Sequence, residues 1–327
     1  VDALQDNLGR RIDYLRVSVT DRCNLRCLYC MPATGVPLVD RGSILTLEEL
    51  GRLIEAGTLA GIRRVRFTGG EPLLRRGLAG LIRAVARLPA VADLSLTTNG
   101  LLLAELAGDL KAAGLSRVNV SLDSLRPERY AAITRGGDLS QVWRGIEAAL
   151  ASGLTPVKIN AVLMRGINDD EVEDLARLTL ERELHVRFIE LMPIRYAAGW
   201  APDHLVTAAA VKEKLAAWGE WEPAKGLAGT GPARYFSLPG ARGTVGFISA
   251  LSDHFCGSCN RLRLTATGAL RPCLYDGTEI DLRDLVRGGA SLEELAGVFR
   301  TAAAAKPSGH HLAGGWRDDR SMSQLGG

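Results

Sequence analysis

Residues 15–31 read Leu-Arg-Val-Ser-Val-Thr-Asp-Arg-Cys-Asn-Leu-Arg-Cys-Leu-Tyr-Cys-Met, a short aliphatic run followed by three cysteines within eight positions. The run Leu15–Thr20 is short enough to be a buried strand, which sets the cysteines in the loop directly after it. Similar runs recur at Val65–Thr68, Leu94–Thr97, Val118–Leu122, Val157–Val162 and Val186–Leu191. Helical patterns separate them at Thr46–Ala60, Arg76–Leu88, Leu102–Ala113, Ser140–Ala151 and Asp169–Glu183, with a sixth at Thr207–Trp218. Thr46 and Glu49 have the spacing of a capping box. Alternation of this kind predicts a parallel sheet with right-handed crossovers. Six units are fewer than the eight of a closed barrel, so the expectation is an α/β fold: a partial (β/α)6 TIM-type barrel with a C-terminal α+β region covering its opening.

After Trp221 the pattern changes. Pro and Gly are frequent up to Gly243, and short strand-like runs follow at Arg234–Leu238, Thr244–Ser249 and Arg261–Thr265, then helical stretches at Asp281–Arg287 and Ser291–Ala305. The expected division is residues 1–220 and 221–327, each with its own cysteines. At 327 residues, 46% hydrophobic and 24% charged, the composition is that of a folded globular chain. Forty Lys and Arg against 37 Asp and Glu leave a net charge of +3, too little to argue for wrapping a nucleic acid. Any anion site is therefore local. No run reaches the roughly 18 apolar residues of a membrane span, and Val1–Arg10 lacks a signal-like apolar core, so the reading is cytoplasmic with no membrane partner.

The six cysteines form two triads, Cys23, Cys27 and Cys30, then Cys256, Cys259 and Cys273. Without an export signal, and with ample apolar residues for a core, disulfides are disfavoured. A zinc site wants four ligands; one triad supplies three, and His254 near Cys256 could complete the second, so spacing alone leaves zinc open. An iron-sulfur cluster with three protein ligands leaves one iron free to bind a substrate. CxxxCxxC also differs from the CxxCxxC run of bacterial ferredoxins, which speaks against a simple electron carrier.

Loops after the strands form the active face of parallel barrels. Here they carry Thr68-Gly69-Gly70-Glu71-Pro72, Thr97-Thr98-Asn99-Gly100 and Ser121-Leu122-Asp123-Ser124. Lys158 and Arg187 interrupt apolar strands, either as strand ends reaching solvent or as charges facing a polar barrel interior. Arg261 and Arg263 share one face of a strand beside the second triad, a pair suited to a phosphate-rich ligand. Met192 reads as core, His310 and His311 as surface residues, and Asp13, Asp21 and Asp253 show no arrangement that demands acid-base work.

Cys23 to Cys30 together with Gly69-Gly70-Glu71-Pro72 resembles the radical S-adenosylmethionine superfamily. The line from Gly9 through Met31, the segment Cys256–Leu274 and the terminal Arg320-Ser-Met-Ser-Gln-Leu-Gly326-Gly327 resemble its GTP 3',8-cyclase family of molybdenum-cofactor biosynthesis. The likeness runs from about residue 9 to the end and is thinnest over Trp221–Gly243; Leu325 is a mild departure. It implies two [4Fe-4S] clusters, one on each triad, with S-adenosylmethionine on the open iron of the first and the guanine of GTP on that of the second. It matches Tyr29, Gly70, Ser121 and Met192 to contacts with S-adenosylmethionine, and Arg16, Arg66, Thr97, Lys158, Arg187, Arg261 and Arg263 to GTP-binding positions. Gly326 and Gly327 match a catalytic tail that reaches the site.

The implied reaction takes hydrogen from C3' of GTP with a 5'-deoxyadenosyl radical, then joins C3' to C8 to give 3',8-cyclo-7,8-dihydro-GTP. The implied partners are a second copy in a homodimer, a flavodoxin or ferredoxin as reductant, and a downstream cyclic pyranopterin monophosphate synthase. A peptide-modifying radical enzyme with an auxiliary cluster is the nearest rival. An iron-sulfur regulator binding nucleic acid and a zinc-stabilised binding module are the others.

Overall fold

Strands whose residues alternate between a helix-covered face and a charged interior build the barrel. The computed structural model describes residues 3–224, 227, 231–310, 318 and 320–326. Its first six strands are β1 (Tyr14–Ser18), β2 (Arg64–Thr68), β3 (Asp93–Thr98), β4 (Arg117–Ser121), β5 (Val157–Leu163) and β6 (Leu184–Glu190), all parallel and paired in chain order. Between and after them run α1 (Leu47–Ala60), α2 (Leu78–Ala86), α3 (Leu103–Ala112), α4 (Pro127–Thr134), α5 (Leu139–Ala151), α6 (Val172–Glu181) and α7 (Ala208–Lys214). Thr46 and Glu49 make the capping box at the start of α1. The eight-residue α4, opened by Pro127, is an addition to the pattern read from the sequence.

The chain then forms β7 (Glu222–Pro223), β8 (Arg234–Ser237), β9 (Thr244–Ile248), β10 (Arg261–Leu264), β11 (Ala269–Arg271) and β12 (Ile280–Asp281), with α8 (Arg283–Arg287), α9 (Leu292–Ala304) and α10 (Met322–Leu325). These strands extend the barrel's own sheet at both edges. β10 lies parallel on β1, with Arg263 opposite Arg16, and β9 lies parallel on β6, with Gly246 opposite Arg187. The sheet order is β12-β11-β10-β1-β2-β3-β4-β5-β6-β9-β8-β7. The expected cover is thus largely edge-to-edge continuation of the sheet.

Leu15, Val17, Val65, Phe67, Leu94, Leu96, Val118 and Val120 form the core beneath the helices. Their alternates, Arg16, Arg66, Ser95, Arg117 and Asn119, point the other way, since successive strand residues face opposite sides of the sheet. The end of the chain is clamped by the fully buried Arg271, which donates to Glu279 and Asp318 at 2.6 Å and to the Asp276 carbonyl at 2.8 Å. Burial would raise Asp318, but Arg320 and Arg271 outweigh it and hold the carboxyl at about 2. No helix among the described residues is long and apolar enough to cross a membrane.

Helix α9 packs along α1 with Phe299 fully buried. Phe299→Ala is expected to remove about 3–5 kcal/mol from the free energy of urea unfolding, measured by circular dichroism on the metal-free chain.

Candidate functional site

At the C-terminal ends of the parallel strands lies a cavity of about 310 Å³, and all six cysteines line it. The loop carrying the first triad is fixed by its own Arg26 and by Arg135 at the end of α4. Arg26 Nη1 donates to the carbonyls of Cys23 at 2.7 Å and Leu25 at 2.9 Å, and Arg135 Nη1 donates to that of Met31 at 2.8 Å. The Gly69-Gly70 turn presses against the same loop: the Gly70 and Glu71 amides donate to Thr20 and Arg22 carbonyls at 2.9 and 2.7 Å. A Cβ on Gly70 would stand 2.2 Å from the Arg22 carbonyl oxygen, so only glycine permits this approach.

Two buried carboxylates tie the remaining loops together. Glu71 accepts from the Leu73 and Asn99 amides at 3.0 and 2.7 Å and from Thr98 Oγ1 at 2.7 Å, joining the turns after β2 and β3. Asp123 accepts from the Val162 amide and the Tyr29 hydroxyl, both at 2.8 Å. Burial pushes Glu71 up to about 7 and Asp123 up to about 6, against the pull of those hydrogen bonds. Burial and then Asp123 push the Tyr29 phenol upward, so it stays protonated and donates. The acids brace the loops.

The two triads differ electrostatically. Burial first, then the neighbouring thiolates, drives Cys27 well above the ordinary thiol range and Cys30 up to about 12. Three sulfurs that raise one another ionise together only beside positive charge, which the iron of a cluster supplies. Burial would also raise Cys259, but Arg261 and Lys306 outweigh it and pull the thiol down to about 6. Among the described residues no three His, Cys, Asp or Glu side chains converge as they would on one metal ion. A cluster instead takes each thiolate on a separate iron. His254, the candidate fourth zinc ligand, has Nδ1 3.0 Å from the Ala250 carbonyl and its ring edge-on to His310 at 4.4 Å.

Between the triads the cavity wall is strongly basic, with Arg16, Arg66, Arg187, Arg261, Arg263 and Lys306. Arg16 Nε and both Nε and Nη2 of Arg187 are buried without a hydrogen-bond partner among the described residues, as is Asn160 Oδ1. Burial, then Arg263, holds Arg16 well below its usual value, and burial, then Arg261, brings Arg263 to about 10. Guanidiniums nevertheless stay charged, so the shared repulsion is relieved at Lys158. Lys158, buried one layer below with Nζ 5.2 Å from the Tyr235 ring, is brought to about 6 by burial and then by Arg187, Arg117 and Arg66.

The structure gathers most of the candidate residues. Tyr29, Gly70, Ser121, Met192, Thr97 and the five arginines line the cavity with both triads, while Lys158 lies beneath it. The Gly326 carbonyl accepts from Thr68 Oγ1 at 3.0 Å and Arg263 Nη1 at 3.4 Å; Gly327 and His311 lie outside the described residues. His310, expected at the surface, lines the cavity instead, because its ring is drawn between His254 and Tyr275 and Nε2 donates to the Ala250 carbonyl at 2.8 Å. Asp13 pairs with Arg64, Asp21 accepts from the Val39 amide, and Asp253 pairs with Arg234. Sequence reasoning missed Arg117, whose guanidinium grips Asp93 at 2.9 and 2.6 Å inside the barrel. It carries the same signal as Lys158, a charge in an apolar strand, but stands one residue before the expected strand start.

A family profile described as the Radical SAM superfamily matches residues 17–179, and one described as Molybdenum Cofactor Synthesis C matches residues 184–312. The chain is 56% identical over 325 residues to a GTP 3',8-cyclase of Pelotomaculum thermopropionicum, covering 99% of this chain and 100% of that one. It is 57% identical to a GTP 3',8-cyclase of Heliobacterium modesticaldum, covering 98% of this chain and 99% of that one. Among solved structures, Streptococcus suis SuiB bound to precursor peptide SuiA superposes with a TM-score of 0.62 at 14% identity, covering 90% of this chain and 68% of that one. SuiB bound to S-adenosylmethionine gives a TM-score of 0.58, also at 14% identity, over 89% of this chain and 68% of that one. Identity that low shows the shared fold alone.

Lys158 yields a test of the basic wall. With its pKa at about 6 the amine is neutral at pH 8, and a bound polyanion raises that value, so binding takes up protons. Calorimetry with inorganic triphosphate in buffers of different ionisation enthalpy is expected to show uptake of up to about one proton, abolished in Lys158→Met.

Proposed function

The chain belongs to the GTP 3',8-cyclase family of radical S-adenosylmethionine enzymes, and from that premise we propose how its cavity carries out the family's reaction. Its cofactors are two [4Fe-4S] clusters and S-adenosylmethionine. Cys23, Cys27 and Cys30 would hold one cluster and Cys256, Cys259 and Cys273 the other, each leaving one iron open. When bound, these groups supply the one-electron chemistry that takes hydrogen from C3' of GTP and lets C3' bond to C8.

The observation that carries this reading is that both triads and the basic wall line one cavity, so a single nucleotide meets both. Tyr29, Gly70, Ser121 and Met192 bind S-adenosylmethionine beside the first triad. Arg16, Arg66, Arg187, Arg261 and Arg263, with Lys158 beneath and Thr97 at the wall, bind GTP. The unsatisfied donors of Arg16 and Arg187 support that assignment, since buried donors without partners call for acceptors from a ligand. Met192, Ile194, Leu274 and Met322 line the cavity in an apolar cluster with the buried Leu325 and keep water from the reacting carbons.

Gly326, at φ 82° with Ser18 Cβ 3.0 Å from where its own Cβ would stand, sets its backbone against Arg263, and a catalytic role for Gly326 and Gly327 belongs to this reading. The division into residues 1–220 and 221–327 assigns one triad to each part. A homodimer, a flavodoxin- or ferredoxin-type electron donor, a downstream cyclic pyranopterin monophosphate synthase and a cytoplasmic setting belong to the same proposal.

Arg263→Ala tests the triphosphate assignment. Losing one charge-assisted contact typically costs about 1.5–3 kcal/mol, so GTP affinity is expected to fall roughly 10- to 150-fold while guanosine affinity holds. Unchanged GTP affinity at normal iron content removes Arg263 from the site.

A further inference from the structure

The second triad is split between the turn before β10 and the end of the β10–β11 hairpin, and two buried cations from distant parts of the chain hold the two pieces together. Cys256 and Cys259 flank a single helical turn, whereas Cys273 follows β11 on the far side of the β10–β11 hairpin. Lys306, just past α9, bridges that gap: Nζ donates to the carbonyl of Arg261 at 2.8 Å and to that of Pro272 at 2.7 Å. The first carbonyl lies two residues after Cys259 and the second immediately before Cys273. Arg10, near the start of the chain, holds the third ligand's backbone, donating from Nη1 to the Cys256 carbonyl at 2.7 Å. Its other nitrogens lock it to the lysine's segment and to Asp6, through the Pro307 carbonyl at 2.6 Å and a salt bridge from Nε.

Lys306 and Arg10 are 6% and 9% exposed, and among the described residues no carboxylate joins either of them to the cysteine loops. Their contacts with those loops go to backbone carbonyls. Placed between the two cysteine-bearing segments, the ammonium offsets the negative charge that three sulfurs bring to the site. Lys306 also forms part of the cavity wall, facing the space the cluster and substrate share.

We propose that Lys306, locked in place by Arg10, is a positioning residue for the second cluster, fixing the separation of Cys259 from Cys273 and placing a positive charge beside them. The inference rests on the second triad holding a cluster. Partners one step removed from metal ligands typically change metal affinity about 10- to 100-fold when lost.

The test uses the full chain with Cys23, Cys27 and Cys30 all changed to Ala, reconstituted anaerobically so that iron and sulfide report the second triad alone. If this parent holds no iron, the reading of the second triad fails and the proposal falls with it. In the parent, Lys306→Met is expected to speed release of iron to a chelator by about ten-fold or more and to alter the electron paramagnetic resonance spectrum of the reduced cluster. Lys306→Arg, which keeps charge and donors, is the milder variant and should release iron at an intermediate rate. In the mirror background, with Cys256, Cys259 and Cys273 changed to Ala, Lys306→Met should leave the first cluster's release rate and circular dichroism unchanged. Release rate and spectrum unchanged by both Lys306 substitutions, or equal loss from both clusters, overturns the proposal.

Discussion

Mutual repulsion among cations held inside one sheet is the constraint on which the site depends. Parallel register sets Arg263, Arg16 and Arg66 side by side on three neighbouring strands, with their side chains on the interior face. Their charges repel one another across these strands. Partial relief comes from Asp93 on Arg117, from Ser95 Oγ accepting at 3.0 Å from Arg66 Nε, and from the Tyr14 ring beneath Arg66 at 5.4 Å. The remaining strain is borne by the outer face of the same strands, where Leu15, Val17, Val65 and Phe67 are fully buried under the helices. One face stabilises the fold and the other is the proposed seat of a polyanion.

The constraint also explains why the C-terminal region joins the sheet. Arg261 and Arg263 reach the interior only because β10 pairs with β1, and Gly246 leaves room beside Arg187 because β9 pairs with β6. The second triad flanks β10 in sequence, so the strand that delivers the arginines also delivers the cysteines. The two triads meet one cavity with opposite electrostatic character: the first is surrounded by its own sulfurs and by Asp123, the second by Arg261 and Lys306. A basic surround suits the proposed binding of an anionic nucleotide on that side.

Much of this was legible in the sequence. Six runs rich in Val, Ile and Leu mark β1–β6 to within two residues, because these strands are buried on both faces, under the helices on one and inside the barrel on the other. The Thr46–Glu49 capping box is local and was readable as such. The edge pairings were not, since the runs at Thr244–Ser249 and Arg261–Thr265 announce strands but not their neighbours. Arg117 escaped by one position. Lys306 and Arg10 gave no signal at all, because their partners in the cysteine segments and beyond are backbone carbonyls up to 298 residues away in the chain. The close approach of Gly70 to the Arg22 carbonyl is visible only in three dimensions.

The central claim is that one nucleotide spans the cavity from the first triad to the second, with its ribose next to S-adenosylmethionine. Anaerobic single turnover of the reconstituted chain with reductant, S-adenosylmethionine and GTP deuterated at C3' tests it most directly. The account predicts that deuterium appears in the 5'-deoxyadenosine formed, in step with a cyclised nucleotide, and that other nucleoside triphosphates give neither. Deuterium-free 5'-deoxyadenosine alongside intact GTP, from protein with both clusters in place, would contradict it.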